Sequence, residues 1–417
     1  MPFTIILVAL QRREQVLKRT LDLADFLSFI YSGTDISRRS LVEKTQFAPS
    51  YITTVVRNLL RRGLLLERGS VPSKGGRRRV LLEVNPELAH LVGVEIGTAN
   101  CRIVVTDFTG RVLSFKKFPS QVSNCKDRTL DLIHQEMQGI LKQDGRIGGI
   151  GIAQSGVIDR ETGTVLFWPK VQGWKDVPLK SIFETAYGIP TILEDSSRTR
   201  GIAERRYGHA KGLSNFICVN IGIGLGSALF FNGQLYVGSY GLAGELGHTT
   251  IDENGALCSC GNRGCLEVYS SGWAILSRVR SALEKGVDSS LLELVREDPA
   301  RLTIEAIVSA AEAHDRLSET VLTEAGTHLG TALATLSNLL NPERIILGAA
   351  VAQTAGHLLM DPLLNSLRRR AFHQSVRNLN VVISQLGEEA AAVGAVVVVA
   401  EKIIRKLCAK EAPAQIP

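Results

Sequence analysis

The densest chemistry in the sequence lies between Gly241 and Glu267, where Glu245 and His248 stand a short way ahead of Cys258, Cys260 and Cys265. One imidazole and three thiols at this spacing, with Gly261 and Gly264 as turn residues between the thiols, make a tetrahedral metal-ligand set. Zinc favours such a set in closed coordination. A zinc on His248, Cys258, Cys260 and Cys265 would therefore be structural, pinning a loop that has no core of its own and presenting Glu245, His248 and Glu267 at fixed geometry. The alternative is three free, buried thiols.

Such a loop needs elements to hold it. After Asn85 and Pro86 the chain reads as short apolar strands and longer helices, and it contains an internal echo. Leu91 to Glu95, Gly97, Cys101 to Phe108, the Thr109-Gly110 turn and Val112 to Phe118 form a three-strand meander. Ile217 to Ile221, the glycines Gly222, Gly224 and Gly226, Ser227 to Phe231, the Asn232-Gly233 turn and Gln234 to Val237 repeat it. Two such units, each followed by helices, predict two similar α/β lobes facing a cleft where a ligand would bind. A helix from about Glu388 to Lys410 is expected to bury its apolar run, Ala390 to Ala400, against the first lobe. That run is too short to span a bilayer.

The front of the chain differs in charge. The first 85 residues hold 15 Lys and Arg against 7 Asp and Glu, or +8, and the rest hold 33 against 34, or −1, so all the excess positive charge is in the front. A basic module ahead of a neutral body suits a polyanion partner. A helix over Gln11 to Tyr31, a second over Arg38 to Lys44 capped by Ser37, and a third from Pro49 to about Arg62 are followed by a hairpin of Leu64 to Arg68 and Val80 to Val84. Together they predict a winged helix-turn-helix. Ile52, Val55, Val56, Leu59 and Leu60 form the inward stripe of the third helix. Ser50, Tyr51, Thr53, Thr54 and Arg57 then face a DNA groove, and Lys74, Arg77 and Arg78 of the wing meet phosphates.

Length and composition agree. A chain of 417 residues, 45% hydrophobic and 21% charged, is a multidomain globular protein, which excludes a disulfide-stapled miniprotein and a disordered chain. Seven cysteines, three of them crowded together, suit a reducing cytoplasm. The apolar opening Phe3 to Leu10 is too short for a membrane span, and Arg12 and Arg13 follow it where a signal peptide has its charges in front. No membrane insertion is expected.

The Glu245-to-His248 element, the cysteine cluster ending in Glu267 and the Gly-Gly-Arg-Arg wing (Gly75 to Arg78) resemble the ROK family, which groups sugar-responsive repressors with sugar kinases. The winged helix resembles the repressor branch, with its xylose- and N-acetylglucosamine-responsive members. The resemblance implies a two-lobed, actin-like ATPase fold behind the winged helix. Residues 1–85 would be the DNA-binding domain, 86–210 the first lobe, 211–387 the second lobe with the zinc loop, and 388–417 a helix returning to the first lobe. It also implies sugar or sugar-phosphate binding by Glu194, Asp195, Glu245, His248 and Glu267, beside a glycine loop at Gly151 to Gly156. Operator DNA and a homodimer or dimer of dimers follow from the same likeness, and a sugar-transporter protein is a further partner class.

In a kinase of this family Asp195 would be the general base. The phosphate loops depart from the kinase pattern: Thr98 and Ala99 stand where Gly and Thr are usual, and Ile223 replaces the threonine of the second loop. ATP binding and phosphoryl transfer are not expected, and no residue is assigned a catalytic role. The reading is a sugar-responsive transcriptional regulator, a repressor of carbohydrate uptake or catabolism genes. The alternative is an ATP-dependent sugar kinase fused to a DNA-binding domain.

Overall fold

The computed structural model describes residues 23–33, 35–71, 78–122, 126–169 and 171–409. The part of the first helix before Leu23, and Lys74 and Arg77 of the wing, lie outside these residues. Helix α1 (Leu23–Ser32) buries Phe26, Leu27, Ile30 and Tyr31. Helix α2 (Arg38–Thr45) begins in a reciprocal cap between Ser37 and Ser40. Helix α3 (Pro49–Arg61) has Pro49 in its first turn and buries Ile52, Val55, Val56 and Leu59 on one side. Strands β1 (Leu65–Val71) and β2 (Arg79–Val84) pair antiparallel, with a bulge between Arg68 and Ser70 where Gly69 takes φ +58°. A bridge from Ser37 to Leu81 ties the helices to this hairpin.

Two five-stranded sheets follow, and they share one topology. In the first, β3 (His90–Ile96), β4 (Asn100–Thr106) and β5 (Val112–Pro119) form an antiparallel meander. Helix α4 (Lys126–Gln143) leads to β6 (Ile147–Gln154), parallel to β3. The small hairpin of β7 (Val157–Asp159) and β8 (Thr164–Phe167) and helix α5 (Leu179–Tyr187) precede β9 (Thr191–Asp195), parallel to β6, and helix α6 (Ser196–Tyr207). The sheet order is β5-β4-β3-β6-β9.

In the second sheet β10 (Phe216–Ile221), β11 (Leu225–Phe231) and β12 (Gln234–Tyr236) repeat the meander. Four helices follow: α7 (Glu267–Ser270), α8 (Gly272–Glu284), α9 (Leu291–Glu297) and α10 (Ile304–Glu312). The long pair α11 (Arg316–Leu340) and α12 (Ala349–Arg370) flanks β13 (Arg344–Gly348). The short α13 (His373–Val376) leads to β14 (Asn380–Ile383), and the order β12-β11-β10-β13-β14 reproduces the first sheet.

Helix α14 (Ala390–Ala409) then crosses back onto the first sheet and joins three parts of the molecule. Its Val396, Ala400 and Ile404 share one hydrophobic core with Leu91 and Val104 of the sheet and with Phe26, Leu41, Ile52, Val56 and Leu59 of the winged helix. Arg62 adds a hydrogen bond from Nη2 to the Leu407 carbonyl at 3.0 Å. The approach to the sheet is backbone to backbone. A Cβ on Gly151 would stand 2.1 Å from the Ala395 carbonyl oxygen, and one on Gly394 would stand 1.8 Å from that of Thr199 in α6. Gly151 thus sits inside β6 and lets the helix close. The turn expected between 151 and 156 is confined to Ser155 and Gly156, with Gly156 at φ +103°. No helix among the described residues is long and apolar enough to cross a membrane.

Candidate functional site

The metal-ligand loop folds on its own hydrogen bonds. Cys258 donates its N–H to the Asn262 carbonyl (2.7 Å), Gly261 returns to Cys258 (3.0 Å), and Gly264 donates to Ala256 (2.9 Å). Gly264, at φ +65°, has no room for a side chain, because a Cβ would stand 1.5 Å from the Asp252 carbonyl oxygen. The turns bring His248 Nδ1 to 3.6 Å from Cys258 Sγ and Cys260 Sγ to 3.6 Å from Cys265 Sγ. All four ligand atoms lie within 4.8 Å of one another. Cys258 and Cys265 are buried and Cys260 is exposed. Burial first, then the neighbouring thiols, push Cys265 up to about 12, a crowding that a divalent cation would relieve. Because Nδ1 faces the cluster, Nε2 is the imidazole nitrogen left for a second partner.

The residues expected to meet a sugar come from both lobes. Asp195 ends β9 and caps α6, its Oδ1 accepting from the N–H groups of Ser197 (2.9 Å) and Arg198 (3.0 Å). Burial lifts its carboxyl to about 7 against the pull of Arg198, and the charges of Glu194 and Glu245 add to the rise. Glu245 is exposed and joins His248 through a single 3-10 turn, the His248 N–H reaching the Glu245 carbonyl at 3.1 Å. Glu267 Oε2 accepts from the Leu225 N–H at 3.1 Å, at the start of β11.

Glu194 is placed differently. Its side chain is 1% exposed, with Arg160 at 2.6 Å and Arg198 at 3.5 Å. Sequence reasoning missed both arginines. Arg198 also donates to the carbonyls of Gly241 (2.5 Å) and Ala243 (3.2 Å), which joins α6 to the loop ahead of Glu245. Ser155 and Ser196, at the ends of β6 and β9, share a hydrogen bond of 2.8 Å.

The two loops at the kinase phosphate positions, residues 95–100 and 222–226, are held by the protein itself. Glu95 is buried between Arg102 (3.2 Å) and Arg200 (2.8 Å), and Glu388 ahead of α14 pairs with Arg102 (3.3 Å) and Lys117 (2.6 Å). In the second loop the carbonyls of Gly222 and Ile223 accept from the N–H groups of Gly272 (2.8 Å) and Trp273 (3.1 Å), and the Ile223 side chain is 46% exposed. Beyond Gly348, where α12 begins, Ala349 takes φ +68°, a conformation usually given to glycine. The cavity bounded there by Arg200, Glu204, Gly348, Gln353 and Leu386 has about 10 Å³, room for no more than a water molecule.

On the winged helix, Ser50, Thr54 and Arg57 are exposed along α3 and Thr53 is half-buried. Tyr51 is exposed at its edge while its ring packs on Phe47 and Phe26. Arg78 is exposed at the start of the second wing strand.

The model of the ROK family matches residues 91–402. The xylose repressor of Caldicellulosiruptor bescii is 30% identical over 377 residues, which are 89% of this chain and 94% of that protein. The DNA-binding transcriptional dual regulator NagC of Escherichia coli is 28% identical over 361 residues, 85% of this chain and 86% of its own. Among solved structures, a ROK family transcriptional regulator, a homolog of the E. coli MLC protein, superposes with a TM-score of 0.76 at 27% identity, covering 93% of this chain and 98% of that one. A ROK family glucokinase from Streptomyces griseus, in complex with glucose and AMPPNP, gives 0.67 at 29% identity and covers 74% of this chain and 99% of its own. The two-lobed, actin-like ATPase fold is the architecture these neighbours share with the chain.

Proposed function

The chain belongs to the ROK family, and from that premise we propose that it is a sugar-responsive, DNA-binding transcriptional regulator, a repressor of genes for carbohydrate uptake or catabolism. The observation that carries this reading is the single hydrophobic core in which α1 to α3, α14 and the first sheet are packed together. Residues 1–85 are the DNA-binding domain, 86–210 and 211–387 the two lobes, and 388–417 the returning helix. Ser50, Tyr51, Thr53, Thr54 and Arg57 enter the major groove, and Lys74, Arg77 and Arg78 neutralise phosphates beside it.

The effector, a sugar or sugar phosphate, lies between Asp195 on one lobe and Glu245, His248 and Glu267 on the other. Carboxylates and an imidazole accept from adjacent hydroxyls, and a sugar lacking one of them leaves an acceptor unpaired. Glu194 acts through Arg198, holding the guanidinium that ties α6 to the Gly241 and Ala243 carbonyls. The metal is zinc, which favours one imidazole and three thiolates; two of the ligand separations, 3.6 Å each, are near the edge, about 3.8 Å, of a tetrahedron of zinc–sulfur bonds. It fixes the loop that carries His248, whose Nε2 is left to the sugar. An effector that binds one lobe arrangement more tightly shifts the population toward it. Packing through α6 and α14 passes that shift to the winged helices of a homodimer on a roughly palindromic operator.

Phosphoryl transfer is absent. Glu95 is occupied by two arginines, and Ile223 stands where a phosphate-binding hydroxyl would be needed. The protein works in the cytoplasm, and a transporter component is a further partner that the family permits. Gel-shift and footprinting with purified protein against DNA upstream of sugar-utilisation genes test the proposal. It requires a protected, near-palindromic site with affinity falling steeply with salt, and it fails if no specific site exists. A coupled ATP assay over hexoses, pentoses and N-acetyl sugars tests the kinase alternative, which steady turnover would establish.

A further inference from the structure

A cavity of about 470 Å³ lies where the winged helix meets the first lobe, away from the interlobe site. One wall is the end of α1 with the wing strands, contributing Tyr31, Arg68 and Glu83. The other is the β4–β5 turn and the end of α6, contributing Arg111, Arg206 and Tyr207, with Lys211 beyond. The volume falls in the range of small-ligand sites, about 300–1,000 Å³.

Its charge is unbalanced. Among the described residues that line it, Arg68, Arg111, Arg206 and Lys211 outnumber the two acids Asp35 and Glu83, and behind this lining Glu401 lies within electrostatic reach of Arg206 and Tyr31, and Asp107 of Tyr31 and Tyr207. Arg68 and Glu83 satisfy each other at 2.8 Å. Arg111 and Lys211 are exposed and have no ion-pair partner among the described residues. Arg206 lies over the Tyr31 ring at 4.5 Å and 5.7 Å from that of Tyr207. Its Nε is buried with no hydrogen-bond partner, and so is the Tyr31 hydroxyl. A buried donor without a partner is unfavourable, and an acceptor arriving in the cavity would relieve it. The Arg206 Nε and the Tyr31 hydroxyl thus stand beside two exposed cations, Arg111 and Lys211, and all four can donate to an anion in the cavity.

We propose that this cavity is a second ligand site, which takes a small phosphorylated organic anion and bridges the winged helix to the first lobe. Phosphate fits better than a lone carboxylate, since it accepts from several donors at once and carries enough charge for Arg111, Arg206 and Lys211 together. The aromatic rings of Tyr31 and Tyr207 pack the organic part. The ligand touches both walls, so it binds most tightly when they are apposed and favours the docked orientation of the winged helix. A duplex backbone is the other source of phosphate, but a concave site of this size matches a metabolite better than a helical rod.

Isothermal titration of the full chain tests the site with three probes: fructose 1,6-bisphosphate, inorganic pyrophosphate, and fructose as the uncharged control. The double variant Arg111→Ala/Lys211→Ala removes two exposed side chains and leaves the fold intact, and Arg57→Ala removes a cation from the groove-facing helix. The expected result is one bisphosphate per chain in the unaltered protein, at least tenfold weaker binding in the double variant, no change in Arg57→Ala and no binding of fructose at this site. Equal affinity in the double variant would place the anion elsewhere and overturn the proposal. So would failure of both phosphate probes, including the case in which the double variant loses non-specific duplex DNA, which would assign these cations to the DNA surface. The outcome is separate from the regulatory reading, because operator protection is measured without either probe.

Discussion

Replacing Gly394 by alanine tests how tightly α14 is fitted to the body of the protein. The new Cβ would stand 1.8 Å from the Thr199 carbonyl oxygen. To reach even a tight 3.0 Å contact the two backbones must separate by about 1.2 Å, and neither can rotate aside as a side chain would. Overpacking of a filled core costs about 1–3 kcal/mol, and backbone against backbone belongs at the upper end. Alanine recovers about 1 kcal/mol of helix propensity, leaving a net loss of about 2 kcal/mol. Gly139, exposed within α4, provides the internal control: a Cβ there meets nothing within 4 Å. The same substitution at Gly139 should stabilise by about 0.5–1 kcal/mol, so the two variants should differ by about 3 kcal/mol in urea denaturation. Because α14 shares its core with α1 to α3, Gly394→Ala should also weaken operator binding while Gly139→Ala leaves it unchanged. If Gly394→Ala unfolds within about 0.5 kcal/mol of the unaltered protein, the close approach does not constrain the molecule.

Purified protein should contain one zinc per chain by elemental analysis, and Cys258→Ser should lose it along with sugar binding; a metal-free protein that still binds sugar would remove zinc from the site. Ala349→Gly should raise stability by about 1 kcal/mol by relieving the left-handed backbone at the start of α12, and an unchanged or lower denaturation midpoint would contradict that strain. The Asp195 carboxyl, raised from 3.8 to about 7, favours the folded state fully below its unfolded value, and that contribution is lost as pH rises through 7. Asp195→Asn keeps the cap, so denaturation across pH 5–8 should show the unaltered protein losing stability relative to the variant; parallel curves would count against the shift.

Much of this architecture is written plainly in the sequence. The repeated strand-turn-strand pattern at Leu91 to Phe118 and Ile217 to Val237 needs no tertiary information, because each meander is marked by short apolar runs and by its turns, and both sheets carry it in the same order. The cysteine cluster is equally legible, since its ligands are close in sequence and the glycines mark its turns. The orientation of Glu194 is not apparent from motif matching. It pairs with Ala153 in the sheet while Asp195 pairs with Gln154, and consecutive strand residues point to opposite faces. A strand reading of Thr191 to Asp195 carries that alternation, but the arginines that receive Glu194 come from the β7–β8 turn and from α6, contacts that only the fold creates. The place of Gly151 inside a strand is hidden for a related reason: what makes glycine necessary there is a helix more than 200 residues later in the chain.

The shared core also imposes an order on biosynthesis. The bond between Arg62 and Leu407 joins residues 345 positions apart, so the winged helix leaves the ribosome long before its last packing partner exists. Until α14 arrives, the side of α1 that packs against it has no cover. A product of interrupted translation would therefore carry the residues proposed to meet DNA without α14 to back them, and on that proposal operator binding would wait until α14 has been made.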